Sequence, residues 1–168
     1  RKIMEEVRKL PVKVFINNAG FGDCGSFLET DLSKEVEMIH VNIRAMHFLM
    51  KQMLCQMEKQ GEGSILNVAS SAGLLPAGPY MATYYATKSY VTSLTRAVAL
   101  ELKEKKSNVY VGALCPGPVD TEFNKVANVE FAIPSITPTY CAAYAIRKME
   151  KRKIVIVPTF ISSETFRT

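Results

Sequence analysis

Apolar positions along the chain switch repeatedly between helical and strand spacing. Ile3, Met4, Val7 and Leu10 share one helical face at the outset. Val12 to Asn17 is a short, β-branched apolar run closing in turn residues, as in a strand covered on both faces. Asp31 or Ser33 is placed to cap the next helix, along which Val36, Ile39, Ile43, Met46, Met50, Met53, Leu54 and Met57 keep near-helical spacing up to the Gly61 and Gly63 breaker. Ser64 to Val68 predicts a second strand, a Gly- and Pro-rich loop runs to about Pro79, and a long helical pattern extends from about Ala82 to Lys105. Val109 to Leu114 predicts a third strand, cut off by Cys115, Pro116, Gly117 and Pro118, a run that cannot continue a sheet. An irregular segment reaches Ile136, Thr137 and Pro138 read as N-cap and first residue of a helix ending near Met149, and Lys153 to Val157 is a last strand. Helices alternating with short buried strands require right-handed crossovers, hence an α/β fold with a four-stranded parallel sheet carrying helices on both faces.

The chain has 168 residues, 48% of them apolar and 22% charged, which fits one globular domain. Its mean hydropathy of +0.04 is too low for a membrane protein. The uncharged stretch from Gly63 to Thr87 is interrupted by Asn67, Ser70, Ser71, Pro76, Gly78 and Pro79, so no membrane association is expected. The net charge of +5 is spread along the chain, and its one basic cluster, Arg147 to Lys153, reads as a solvated helix end rather than a nucleic-acid patch. Cys24, Cys55, Cys115 and Cys141 lack metal-ligand spacing and read as free, mostly buried thiols in a reducing, cytoplasmic compartment, with no bound metal. His40 and His47 have no carboxylate or cysteine arrangement around them and read as structural.

Gly20, Gly22 and Gly25 match G-x-G-x-x-G after a strand, yet the helix that should start at the third glycine is delayed by Ser26 to Thr30, so the match is rejected as a phosphate loop. Tyr84 and Lys88 are the stronger pair. Four residues apart on a helix, they rise from one face, and an ammonium near a phenol favours the phenolate, which fits Tyr84 for proton exchange. Tyr85, facing Ser89 at the same spacing, is the poorer candidate. Ser70 and Ser71 end the second strand 14 and 13 residues before Tyr84, where a hydroxyl faces the crevice in which parallel sheets bind ligands and can donate to a carbonyl oxygen.

With Asn17-Asn18-Ala19-Gly20 closing a strand, Asn42 in the long helix, Ser70 ahead of Tyr84-x-x-x-Lys88, and Pro116-Gly117-x-Val119-x-Thr121 in that order, the chain resembles the short-chain dehydrogenase/reductase family over nearly its whole length. The resemblance implies the C-terminal part of a doubly wound, Rossmann-like sheet. It implies that Tyr84 is the catalytic acid/base and that Lys88 lowers its pKa while binding the nicotinamide ribose. Ser70 would orient the substrate carbonyl, and Asn42 would hold a helix kink and a water linking Lys88 to solvent. Asn18, Ala19 and Gly20 would border the adenosine, and Pro116, Gly117, Val119 and Thr121 the nicotinamide. Ser71 has the family's common distance to the tyrosine; Ser70 is preferred because one added loop residue between Pro76 and Pro79 disturbs less than turning the strand end over.

The family's glycine-rich cofactor loop and the strands preceding this region are expected before Arg1, so residues 1–168 read as one partial domain whose first strand has a bare edge. The expected function is that of a fragment, inactive by itself, of an NAD(P)-dependent oxidoreductase interconverting a ketone and a secondary alcohol. NADP is preferred over NAD, the substrate is a small carbonyl compound or alcohol, and the full-length protein is a homo-oligomer. Phe123, Val126, Val129, Phe131 and Ile133 are expected to line an apolar substrate lid. An alternative is a noncatalytic association module whose dimer face is the long helices around Met46 and Val91. A methyltransferase, a further doubly wound possibility, does not fit the Tyr84, Lys88 and Pro116-Gly117 context.

Overall fold

Four parallel strands carry the fold of this computed structural model, in which residues 2–7, 9–76, 78–127 and 134–158 are described. They are β1 (Val14–Asn17), β2 (Gly63–Val68), β3 (Val109–Leu114) and β4 (Val155–Ile156), lying side by side in chain order. The helices are α1 (Lys2–Val7), α2 (Leu32–Ile39), α3 (Met46–Gln60), α4 (Ala82–Glu104), the short α5 (Phe123–Val126) and α6 (Pro138–Glu150). The element order follows the hydrophobic pattern, with three departures. α2 and α3 do not form one α-helix but are joined by a π-helical segment, His40–Ala45. The stretch read as irregular contains α5. β4 is only two residues long, shorter than the Lys153 to Val157 run, and the Lys153 carbonyl before it accepts the Tyr110 hydroxyl at 2.6 Å.

Strand periodicity places the core on both faces. Ile65 and Asn67, with Val109, Val111 and Ala113, point toward α3 and α4, where Met46, Met50, Met53, Met57 and Val91 complete the larger cluster. Leu66, Leu114 and Ile156 point the other way, onto Cys141 and Ala145 of α6. Met46 and Val91 themselves are buried in the core, 5% and 1% exposed, so their side chains pack on the sheet. Of the four cysteines, Cys115 and Cys141 are buried, Cys24 is half-buried and Cys55 is exposed, one fewer buried thiol than "mostly" requires. α6 covers the β3–β4 half of its face. Among the described residues β1 pairs with β2 alone, and the same face of β1 leaves Val14 and Ile16 about half exposed, at 49% and 48%. No helix among the described residues is long and apolar enough to cross a membrane.

Polar side chains inside the α3–sheet–α4 layer are joined end to end. Asn17 donates to Asn67 at 3.0 Å and to the Met46 carbonyl at 3.2 Å, and Asn67 donates to the Thr95 hydroxyl at 3.0 Å and to the Met50 sulfur at 3.2 Å. Thr95 closes the chain by donating to the Val91 carbonyl at 2.6 Å. The network fixes the register of both helices against β1 and β2, because a sliding helix would strand buried polar atoms without hydrogen bonds. Replacing the fully buried Asn67 by alanine removes the hub and leaves a void, so Asn67→Ala, made in the complete reading frame, is expected to lower unfolding stability by about 2 kcal/mol or more, read from urea midpoints at constant m.

Candidate active site

The carboxyl ends of β2 and β3 are tied together before either chain leaves the sheet. Ser71 donates its backbone N–H to the Pro116 carbonyl at 2.7 Å and opens a single 3-10 turn, Ser71–Gly73, whose N-cap is Ser70 with its side chain accepting from Ala72 N–H. Gly73 is where this turn touches α4. A Cβ there would stand 2.4 Å from the Lys88 carbonyl oxygen and 2.5 Å from the Thr92 hydroxyl, so only glycine permits the approach. The contact presses the first two turns of α4 against the strand ends, and with them Tyr84 and Lys88.

Lys88 is 5% exposed, and its ammonium donates to the Val68 carbonyl at 3.0 Å, at the last residue of β2. Burial disfavours its charge and brings its pKa down to about 8, against a small upward pull from the neighbouring Cys115. Tyr84, 7% exposed, stands one turn away, with Lys88 Nζ 5.8 Å from its ring centroid. Ser70 and Ser71 both line the cavity with Tyr84, and the Ser70 hydroxyl is the serine that bears on its phenol. Burial pushes the Tyr84 pKa up to about 12; the Ser70 hydrogen bond pulls it down and Tyr85 pushes it further up. The expectation that Lys88 draws this phenol downward is therefore not met: Lys88 stands off the ring, and desolvation outweighs what favours the phenolate.

Asn42 lies in the π-helical segment, where the extra residue per turn swings its side chain inward. Its amide donates to the Phe21 carbonyl at 2.8 Å and to Thr87 Oγ1 at 3.0 Å, and its oxygen accepts the Phe21 N–H at 3.1 Å. Both backbone groups of Phe21 are thus clamped, which fixes the loop after β1. Thr87 in turn donates to the Tyr84 carbonyl at 2.8 Å, so Asn42 reaches the α4 turn that bears Tyr84 through one intermediate. Gly20 lies in the same corner, where a Cβ would come 2.9 Å from Asn42 Oδ1 and 3.3 Å from Lys88 Nζ.

A cavity of about 720 Å³ opens along the strand ends. It is lined by most of the residues singled out in the sequence: Asn18, Gly20, Ser70, Ser71, Tyr84, Lys88, Pro116, Gly117, Val119 and Thr121. Ala19 is exposed beside it and Asn42 is buried behind it, neither in the lining. Its size suits a cofactor together with a substrate, and a Cβ on Gly117 would meet nothing within 4 Å, which leaves room for a ring to lie on that backbone. Of the expected lid, Phe123 lines the cavity and stacks 5.3 Å from the Tyr84 ring, while Val126 is about half exposed and outside the lining. Val129, Phe131 and Ile133 lie outside the described residues. Tyr85 and Pro118 line the cavity although the sequence reading passed over them. For Tyr85 the signal was its place next to Tyr84 at the mouth-facing start of α4, which pairing by i+4 spacing alone ignores.

The two shifted groups act on stability in opposite directions. Lys88 in the folded chain releases its proton near pH 8 and in the unfolded chain near 10.5, so between these values the unfolded state binds more protons and stability rises with pH. Tyr84 ionises near 10 unfolded and near 12 folded, so its burial costs stability above pH 10. Comparing urea unfolding of the wild type with Lys88→Met is expected to show a gain of up to about 3 kcal/mol from pH 8 to 10.5 in the wild type that the variant lacks.

The family profile described as short chain dehydrogenase matches residues 1–130. Dehydrogenase/reductase SDR family member 4 of Bos taurus is 32% identical over 157 residues, covering 91% of this chain and 53% of that protein. The chain spans about half the length of the curated relatives it matches. Among solved structures, a short-chain dehydrogenase from Sphingobium yanoikuyae in complex with NADPH superposes with a TM-score of 0.85 at 25% identity, covering 96% of this chain and 63% of that one. A bulky-bulky ketone specific alcohol dehydrogenase from Comamonas testosteroni gives 0.77 at 25% identity, covering 98% and 64%. The family match, the parallel sheet and the Tyr84–Lys88 pair at its carboxyl edge agree, and the chain belongs to the short-chain dehydrogenase family of oxidoreductases.

Proposed function

We propose that this chain forms the proton-transfer and substrate side of an NAD(P)-dependent oxidoreductase that interconverts a ketone and a secondary alcohol. The observation that carries the reading is the placement of Ser70, Tyr84 and Lys88 together in the lining of one cavity at the carboxyl ends of β2 and β3, with Lys88 Nζ 5.8 Å from the centre of the Tyr84 ring. A reduced nicotinamide supplies the hydride when bound. Pro116, Gly117, Val119 and Thr121 would hold its ring end, Asn18, Ala19 and Gly20 would border the adenosine, and Lys88 would donate to the ribose once turned from the Val68 carbonyl. NADP is the preferred form, supported by the NADPH-bound Sphingobium relative, and a ketone substrate is supported by the Comamonas one. Action as a homo-oligomer in the cytoplasm belongs to the same proposal.

In reduction, Ser70 donates a hydrogen bond to the substrate oxygen and holds it beside the Tyr84 hydroxyl. As negative charge grows on that oxygen, the phenol proton passes to it and the alcohol is formed. With its pKa pushed up to about 12 the phenol holds its proton at neutral pH, so the proton to be transferred is in place, although burial makes it a weaker acid than a phenol in water. The resulting phenolate is reprotonated from Lys88, the nearest ammonium. Asn42 is a positioning residue: it clamps Phe21 and, through Thr87, the turn of α4 that carries Tyr84.

The reading is tested with the protein expressed in its complete reading frame. It is expected to bind NADPH, followed by the cofactor's own fluorescence, and to oxidise it in the presence of ketones. Tyr84→Phe is expected to lower that turnover by roughly 10²–10⁴-fold with NADPH affinity unchanged. A folded protein that binds neither NADPH nor NADH would overturn the proposal.

A further inference from the structure

Tyr85 is one step along α4 from Tyr84, yet both rings line the same cavity, edge to face with centroids 6.4 Å apart at 74°. Adjacent helical side chains diverge by about 100°, so some outside contact has to hold the second ring there. Gly78 provides it. A Cβ built at Gly78 would fall 2.3–2.4 Å from three carbons of the Tyr85 ring, so the ring occupies the volume a side chain would need and lies directly on the loop backbone. Gly78 thus acts as a seat for Tyr85.

The walls around this seat are apolar. Leu75, Met81 and Phe123 line the cavity with Tyr85, and Phe123 also leans on Tyr84 and is wedged over Gly22, where a Cβ would be 2.8 Å from its ring. Lys88 is the one charged residue in the described lining, and its ammonium is already donating to the Val68 carbonyl. A substrate oxygen held between Ser70 and Tyr84 therefore has its carbon skeleton against aromatic and aliphatic surface. Flat rings pack best on such surface, and a carboxylate or phosphate would lose its hydration there.

We propose that Tyr85, seated on Gly78, is a specificity-determining residue that sets the width of the substrate end of the cavity and selects uncharged ketones with a flat, ring-sized apolar body. This rests on the ketone-reductase reading above and adds the class of substrate to it.

The experiment compares kcat/KM for three probes, 1-indanone, acetone and acetoacetate, with NADPH, in the wild type and in Tyr85→Ala, Tyr85→Phe and Gly78→Ala, each in the complete reading frame. NADPH affinity is measured in parallel as a check of folding and of the cofactor site. The wild type is expected to favour 1-indanone over both other probes. Tyr85→Ala is expected to lower the indanone-to-acetone ratio by at least about 10-fold, since each lost apolar contact in a fitted pocket changes discrimination by that order. Gly78→Ala, which leaves the phenol in place and pushes the ring off its seat, is expected to act in the same direction, and Tyr85→Phe to keep the preference. A ratio that stays the same in Tyr85→Ala and Gly78→Ala, with NADPH bound and ketones still reduced, overturns this inference and leaves the ketone-reductase reading intact. Preference of the wild type for acetoacetate also overturns it. A folded protein without nicotinamide binding removes the reading beneath it, and the inference with it.

Discussion

The buried contact between the Lys88 ammonium and the Val68 carbonyl is the constraint around which the rest of this chain is arranged. A lysine at 5% exposure is costly, and it is held there only if α4 is pressed against the end of β2 closely enough to give its head group an acceptor. Gly73 permits that approach, the Ser71–Pro116 backbone bond pins the two strand ends beneath it, and Thr92 answers the Lys88 carbonyl one turn on at 3.0 Å. Once α4 is fixed there, Tyr84 has no freedom in where it points. The same desolvation brings Lys88 down and pushes Tyr84 up, so two groups that are nearly matched in water, at 10.5 and 10.0, move apart in proton affinity, to about 8 for Lys88 and about 12 for Tyr84.

The polar interior divides into a part that holds the frame and a part that holds the site. Asn17, Asn67 and Thr95 fix α3 and α4 on the sheet and are not themselves among the residues that line the cavity. Asn42 does a different job, because the π-helical segment turns it away from the α3 stripe and toward the loop after β1. A regular helix through residues 40–45 would present Asn42 elsewhere and leave the Phe21 backbone groups without their clamp. The cavity is lined by strand ends, α4 and α6, with the aromatic side chains of Tyr85 and Phe123 in the same lining.

Most of this was legible from residue order because strands and helices of a parallel α/β sheet carry strong, separate periods, and the caps are local. Thr137 and Pro138 read directly as the start of α6, and of the two cap candidates for α2, Asp31 and Ser33, it is Asp31 that caps, because a side-chain oxygen two or three residues before a free N–H is a matter of a few bonds. The π-helical segment was not legible from periodicity, since its apolar residues keep near-helical spacing; the family resemblance alone placed a kink at Asn42, where the segment lies. Periodicity alone did not decide whether the stripe of Met46 and Val91 faces the sheet or another molecule, since both have the same period; their side chains face the sheet. The direction of the Tyr84 shift depends on how much water is lost around the phenol, a three-dimensional quantity that the Tyr84–Lys88 spacing does not contain. Tyr85 was hidden for the same reason: its seat, Gly78, is distant along the helix axis and read as loop.

The most direct measurement of the central claim is the titration of Lys88 itself, followed through the ¹³Cε shift of labelled lysine in the folded protein and assigned by the loss of one resonance in Lys88→Met. The account requires a midpoint near 8, well separated from the other lysines. A midpoint near 10.5, together with those of exposed lysines, would mean that Lys88 is solvated, and the arrangement of α4, Tyr84 and the cavity derived from its burial would be wrong.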